Sequence, residues 1–530
     1  AISDPAVRLD ACLSRSEVHI VGMAHLVARA LLGLAVFAQV THSRITENSL
    51  VYANDTQITE NTVWSGTVYL NAQVFVKSGA TLTIVKGTDI ICYYTPSEPK
   101  HQPSNVNQAH QATYDHAALL MIERGAKIMA EGTMYAPITF RSIEVNISDP
   151  SDREVGTWGG VIILGNAPVT GCGHRDDPHA GEEGIVEAVS NPGLANPSFG
   201  GPDANDNSGT MTYVRIWFAG AQASPNREIN GLTLGGVGSG TTLHHIEVAY
   251  DLDDGLQILG GNVDMSYVSL LYNRDDQLDI DCGYQGRIQF LFAAEAVGYG
   301  DHAYNIHDRS SNCISTDDSC RRTAPRISHA TILGPGSAGG YCQHEDDQLI
   351  RIENGAGGIY TNHIVAFSPR AGEVINSNLT VATGDFAQQE LFVKYYYYHI
   401  EDTSGLAGGI EITDWDDVCM PEPCTASTDL AVSAEKFAPG LAQLGSLDYD
   451  IIPGFAAAAF PGAFAPGVDT WLIGWSLLES YSKLETQLLC GDVFPEVHSA
   501  AAHSTTTSLW LLIACSSTAL TSLMSRATLS

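Results

Sequence analysis

Basic residues are scarce in this chain: 26 Lys and Arg stand against 60 Asp and Glu, a formal net charge of −34 over 530 residues. Such a surface repels nucleic acid and anionic lipid and attracts cations, which excludes nucleic-acid binding. Several catalytic motifs are also missing. There is no phosphate loop ending in Lys, no GxSxG elbow and no HExxH helix. GLTLGGVGSGTT (residues 231–242) is rich in glycine but lacks the following Lys and helix, so it reads as tight turns. The eleven cysteines show no zinc-like spacing. A confident membrane span is lacking too, because the apolar tail at the carboxyl end is short and rich in Ser and Thr.

What is present begins with 44% hydrophobic residues, ample for a core. The 51 glycines, with many Asn, Asp, Thr and Val, indicate a β-rich and turn-dense protein. Residues 23–43, MAHLVARALLGLAVFAQVTHS, have the layout of a secretory signal: a short basic start, an apolar run, then small and polar residues. Residues 1–22 are then expected to be upstream, non-native sequence. In residues 496–530, SAAA (499–502), the spacer HSTTTS and the tail LWLLIACSSTALTSLM follow the order of a GPI attachment signal. Sequons at Asn54, Asn146 and Asn378 agree with export and glycosylation. The expected location is therefore secreted or cell-surface, with membrane contact only through a lipid anchor. In that setting some cysteines should pair, and CISTDDSC (Cys313, Cys320) and CMPEPC (Cys419, Cys424) read as local loop staples.

Between these ends the chain alternates short β-type runs with glycine. VFVKSGATLTIVKGTDIIC and LLMIERGAKIMAEGTMYAPITFRS share one cadence. TYVRIWFAG, HHIEVAYDL, SYVSLLYNR and SHATILGPG share another, with apolar residues inward and polar residues outward. Short strands at a period of roughly twenty residues, without amphipathic helices between them, predict an all-β solenoid, a right-handed parallel β-helix. A β-sandwich is the runner-up, but it calls for hairpins and no column repeating from turn to turn. The predicted layout places the β-helix at residues 51–400 and an irregular carboxyl-terminal cap at 401–490. Long loops at 93–117, 170–208 and 297–325 are expected to shape a binding edge.

GAKIMAEGTMYAPITFRS, WGGVIILGNAPV, DANDNSGTMTYVRIWFAG and EINGLTLGGVGSGTTLHHIEVAY resemble a large family of secreted or surface-attached parallel β-helix proteins with a pectate-lyase-like solenoid architecture. The resemblance runs through DDQLDIDCGYQGRIQF and fades after about residue 370. It implies the fold. The family's biochemical role is largely undescribed, so the resemblance carries over no catalytic residue.

The most distinctive repeat is acidic. YDLDDGLQILGG (residues 250–261) and YNRDDQLDIDCG (residues 272–283) align over a twenty-two-residue offset. If they are adjacent turns, Asp253 lies over Asp275 and Asp254 over Asp276, about 4.8 Å apart. Carboxylates stacked in this way repel by about 1 kcal/mol in water and by more in a partly buried groove. Solvation at turns, a shared proton or a cation each relieves that repulsion. Calcium is the expected cation, with Asp253, Asp254, Asp275, Asp276, Asp279 and Asp281 as candidate ligands. A third DDQL recurs at Asp346 and Asp347, and DWDDVC from Asp414 is a further acidic turn.

His302 and His307, with Asp301 and Asp308, form a possible transition-metal set. Tyr395 to Tyr398 read either as an end strand or as sugar-stacking rings. The function expected from all this is adhesion or polysaccharide binding at a cell surface, the partner being an extracellular glycan or cell-surface ligand. The alternative is a polysaccharide lyase or glycoside hydrolase. Its candidate catalytic residues are Asp254, Asp276, Arg287 and His245, with Arg274 as a further possible base.

Overall fold

The computed structural model describes residues 49–92, 117–142, 155–170, 172, 183–186, 193–224, 227–295, 300–308, 321–334, 349–354, 356–366, 373–375, 391–398 and 411–414. Near the carboxyl end it also describes residues 455–456, 458, 460, 462–465 and 470–480. Two long sheets dominate, and every pairing within them is parallel. One sheet, of fifteen strands, runs from Leu50–Tyr52 to Glu411–Asp414. The other, of ten, runs from Thr56–Ile58 to Glu373–Ile375. The chain visits the two sheets in turn, each pass pairing with the pass before. The fold is a right-handed parallel β-helix.

Alternation sets the inside and the outside of each turn. In TLTI (Thr81–Ile84) the threonines are half-buried while Leu82 and Ile84 are enclosed. Repeated rung after rung, such strands build one core from Val74, Leu120, Val161, Leu232, Leu256, Leu278 and their neighbours. Each fully buried Val, Leu or Ile contributes roughly 1.5–3 kcal/mol.

Early turns use three short strands, such as Leu119–Ile122, Lys127–Glu131 and Ile138–Ser142. The cross-section then changes at a single strand. Gly209–Trp217 pairs through residues 209–212 with Lys127–Glu131 and through 214–217 with Ile138–Ser142. A left-handed backbone at Tyr213 (φ 51°) now makes the corner that residues 132–137 made one rung earlier. The same bend recurs at His245, Tyr267, Phe290, His329 and Asn362, with φ between 55° and 59°. The rings of Tyr213, His245, Tyr267 and Phe290 stack outside the sheet. His245 lies 4.2 Å from Tyr213 and 4.4 Å from Tyr267, and Tyr267 lies 4.9 Å from Phe290, centroid to centroid.

The described residues 455–456, 458, 460, 462–465 and 470–480 lie as a strap across this outer face. Gln289 exchanges two 2.9 Å hydrogen bonds with the backbone of Ala456. Trp471 and Trp475 meet the His245 ring edge-on at 6.2 and 5.9 Å. Phe464, Leu472, Leu477 and Leu478 bury against Trp217, Leu271 and Phe292. On the early rungs of the other sheet, Phe199 and Ala195 cover Phe75, Met121 and Ile162. A disulfide, Cys172–Cys282, ties residues 110 apart in sequence.

Candidate metal centre

The two acidic segments form successive rungs: Leu256 pairs with Leu278, Gln257 with Asp279 and Ile258 with Ile280. The corner before each strand repeats with them. Asp276 N–H donates to Asp254 Oδ1 at 3.2 Å. One rung below, Asp254 N–H donates to Asn230 Oδ1 at 3.2 Å, and one rung above, His302 N–H donates to Asp276 Oδ1 at 3.0 Å. A short side chain carrying an acceptor oxygen is what this corner requires, because it must reach the next backbone N–H without leaving the turn. That requirement selects Asn or Asp at these positions, and the structure shows both.

The aspartates have further oxygens. Asp276 Oδ2 accepts from Asn305 Nδ2 at 2.8 Å. His302 Nδ1 lies 2.9 Å from Asp276 Oδ1 and 3.5 Å from Asp301 Oδ2. Two groupings of potential ligands result. One atom each from Asp253, Asp254 and Asp275 lie within 4.8 Å of one another, as do atoms of Asp276, Asp301 and His302.

Electrostatics make these groups uneasy as bare anions. Burial, and then Asp253, Asp279, Asp276 and Asp275, hold the Asp254 carboxyl well above the usual carboxylate range. Asp276 shifts the same way, first through burial and then through Asp275, Asp279 and Asp301, with the Asn305 donor opposing. A proton or a cation answers such repulsion. Several carboxylate oxygens beside one imidazole make a donor set that can hold a metal ion, and the oxygens suit a hard cation such as calcium without being specific to it.

A second column beside the first is deeper. Asp251 N–H donates to Asn273 Oδ1 at 2.9 Å, Asn273 Nδ2 to Gln277 Oε1 at 2.9 Å, and Gln277 Nε2 to Glu295 Oε2 at 3.2 Å. Asp251 Oδ2 and Glu295 Oε1 are buried without a hydrogen-bond partner. Burial pushes both carboxyls well above their usual range, which favours the neutral acids.

The remaining candidates lie apart from the corner. Asp281, at the far end of its strand, accepts from Cys282 N–H at 2.6 Å and lies 3.8 Å from His307 Nδ1. His307 Nε2 is 3.2 Å from Asp279 Oδ1, at ion-pair distance but outside hydrogen-bonding geometry. His307 therefore spans Asp279 and Asp281, whereas His302 joins Asp276 and Asp301. Asp308 accepts from Thr323 N–H at 3.1 Å.

Arg287 begins the strand Arg287–Ala294, at the end opposite the acidic corner. There it engages Asp264 through both Nε and Nη2. That hydrogen bond raises the guanidinium pKa further. His245 sits in the ring stack, its Nδ1 2.9 Å from that of His244, and burial lowers its pKa to about 3. Arg274 donates its N–H to Asp251 O at 3.0 Å. Neither Arg287 nor His245 is brought to the aspartates.

Asn230 and Asn305 are the participants that sequence reasoning missed. As amides they carry no charge signal, and only the rung register reveals them. Among the cysteines, the structure shows the long-range Cys172–Cys282 bridge and a buried free Cys92. Cys313, Cys320, Cys419, Cys424, Asp346, Asp347, Asn146 and Asn378 lie outside the described residues, as do the signal-like and tail segments. Asn54 is exposed at the bend before Thr56–Ile58, and Tyr395 to Tyr398 end the strand Leu391–Tyr398.

A family model described as a pectate-lyase like beta helix domain matches residues 56–404. Among solved structures, the crystal structure of pectate lyase Pel9A is similar at 11% sequence identity. The match covers 74% of this chain and 89% of that one, with a TM-score of 0.31. No curated protein matches the chain. With residues 56–404 matched, and with two parallel sheets wound rung upon rung through that span, the chain belongs to the pectate-lyase-like β-helix domain family.

Proposed function

We propose that this is an extracellular β-helix protein that binds polysaccharide or a cell-surface glycan, with calcium held at the acidic corner. The observation that carries the reading is the placement of Asp254 and Asp276, both buried, on adjacent rungs beside Asp253, Asp275, Asp279 and Asp301. Carboxylate oxygens are the ligands calcium prefers, and extracellular sites need only modest affinity for it. Bound there, the ion would neutralise the corner and offer its remaining coordination positions to hydroxyl or carboxylate oxygens of a sugar.

Beside the corner, outward-facing polar residues continue up the sheet in two rows. One is Gln257, Asp279, Asn305 and Arg351; the other is His307 and Glu353. Such rows suit a hydroxyl-rich ligand. The family's description points to the same ligand class.

Calcium titration by calorimetry, in the wild type and in Asp254→Asn with Asp276→Asn, tests the metal. A panel of acidic and neutral polysaccharides, with and without chelator, tests the ligand. No heat at millimolar calcium would sink the first half, and no retention of any glycan the second.

A polysaccharide lyase or glycoside hydrolase on the same face is the second reading, and the family description favours it. The imidazoles nearest the aspartates are His302 and His307, so a proton acceptor would come from them. Ultraviolet absorbance of unsaturated products and release of reducing ends decide between binder and enzyme. Secretion and a carboxyl-terminal GPI anchor belong to the same proposal. Phospholipase release of the full chain from cells checks the anchor.

A further inference from the structure

The strap over the ring stack is fastened differently at its two ends. Toward residue 456 the fastenings are neutral: the paired Gln289 bonds, Ala463 N–H to Thr331 Oγ1 at 2.9 Å, and Gly462 N–H to Asn362 O at 2.7 Å. Toward residue 477 they converge on one carboxylate. Glu247, fully buried, accepts from Ser476 Oγ at 2.6 Å and Leu477 N–H at 2.8 Å on the strap. From the solenoid it accepts from Trp217 Nε1 at 3.0 Å and Ser269 Oγ at 3.1 Å. Arg215, the charged group beside it, is its rung partner below, and its Nη1 donates to Trp475 O at 2.9 Å. His244 and His245 lie on Glu247's own strand, in the ring stack.

A carboxylate enclosed by a segment that can lift away has two environments. Docked, it is out of water. Undocked, it faces solvent on the outer side of the sheet. Only the docked state pays to desolvate the charge. We propose that Glu247 is a pH-responsive latch that couples its protonation to docking of residues 470–478 over the Tyr213–His245–Tyr267 stack.

The sign follows from the burial. Desolvation raises the Glu247 pKa in the docked state, with Ser476, Leu477, Trp217 and Arg215 opposing it. Docking is therefore strongest below the undocked pKa. It weakens about tenfold per pH unit as pH rises toward the docked pKa, and levels off beyond it. Lifting this end uncovers the stacked rings and the Trp217 edge.

Hydrogen exchange at Trp475, Ser476, Leu477 and Leu478 in the full chain reads the latch. Glu247→Gln, measured at each pH, removes the intrinsic pH dependence of exchange. Between about pH 4 and pH 8, protection in the wild type relative to Glu247→Gln should fall, by at least threefold. Ser476→Ala, which leaves the solenoid side of the latch intact, should lose more protection at the alkaline end than at the acid end. A flat wild-type to Glu247→Gln ratio, or equal loss in Ser476→Ala at both ends, overturns the proposal. If Glu247→Gln fails to fold, the Ser476→Ala comparison alone decides it.

Discussion

Asp254 and Asp276 are joined by more than proximity: the carboxylate of the first accepts the backbone N–H of the second, 3.2 Å away and one rung up the solenoid. Each such aspartate therefore does two jobs, one in the frame of the corner and one in its charge. Substitutions can separate them.

Asp254→Asn keeps an acceptor for the Asp276 N–H and removes the charge. In chelator it should melt at or above the wild-type temperature, because like-charge repulsion in a buried site is relieved. In calcium the wild type should gain stability and the variant should gain much less. Asp254→Ala removes the acceptor as well and should cost about 1–3 kcal/mol in either condition. Thermal melts of the three proteins, with and without calcium, check the set.

Stability without metal should depend on pH in a definite direction. Asp251, Asp254, Asp276 and Glu295 all have folded-state carboxyls raised by burial. Their contribution is fully present below the ordinary carboxylate range and is lost as pH rises through the raised values. Melting temperature in chelator should fall from mild acid toward neutral pH, and saturating calcium should flatten that slope. A midpoint rising with pH in chelator would contradict the assignment of these groups as uncompensated.

Arg287→Ala should leave calcium and glycan binding unchanged, since the guanidinium is committed to Asp264 at the other end of its strand. Both partners are substantially exposed, so the loss in stability should be about 0–1 kcal/mol. A large loss of binding with the fold intact would place Arg287 in the site after all.

His245→Ala removes a ring stacked on both sides. Aromatic pairs of this kind contribute about 0.5–1.5 kcal/mol each beyond their burial, so a loss of about 1–3 kcal/mol is expected, with calcium affinity unaltered. Chemical denaturation and calcium titration of the one variant test both halves.

Much of the solenoid was legible in the sequence because its inward columns repeat one chemistry. Leu256 and Leu278, or Ile258 and Ile280, align by eye, and the aspartates before them align with equal ease. The corner ladder was only half legible, since Asn230 performs at its lower end what Asp254 and Asp276 perform above it, while His302 at the upper end only donates its backbone N–H to Asp276. His245 misled for a local reason. Strict alternation would turn His244 and His245 to opposite faces, but the left-handed φ at His245 breaks the alternation and sends its ring into the outer stack. The strap and the Cys172–Cys282 bridge leave no periodic trace, because each joins segments far apart in the chain.

The bends at Tyr213, His245, Tyr267, Phe290 and His329 also set how these strands can vary in length. Each left-handed residue must meet its counterparts above and below, so adding or deleting one position inside Thr242–Ala249 would carry the kink out of line with both neighbours. It would also turn the rest of that strand inside out. Evolution can lengthen this molecule by whole coils or by growth at the loops, but hardly by single residues within a rung.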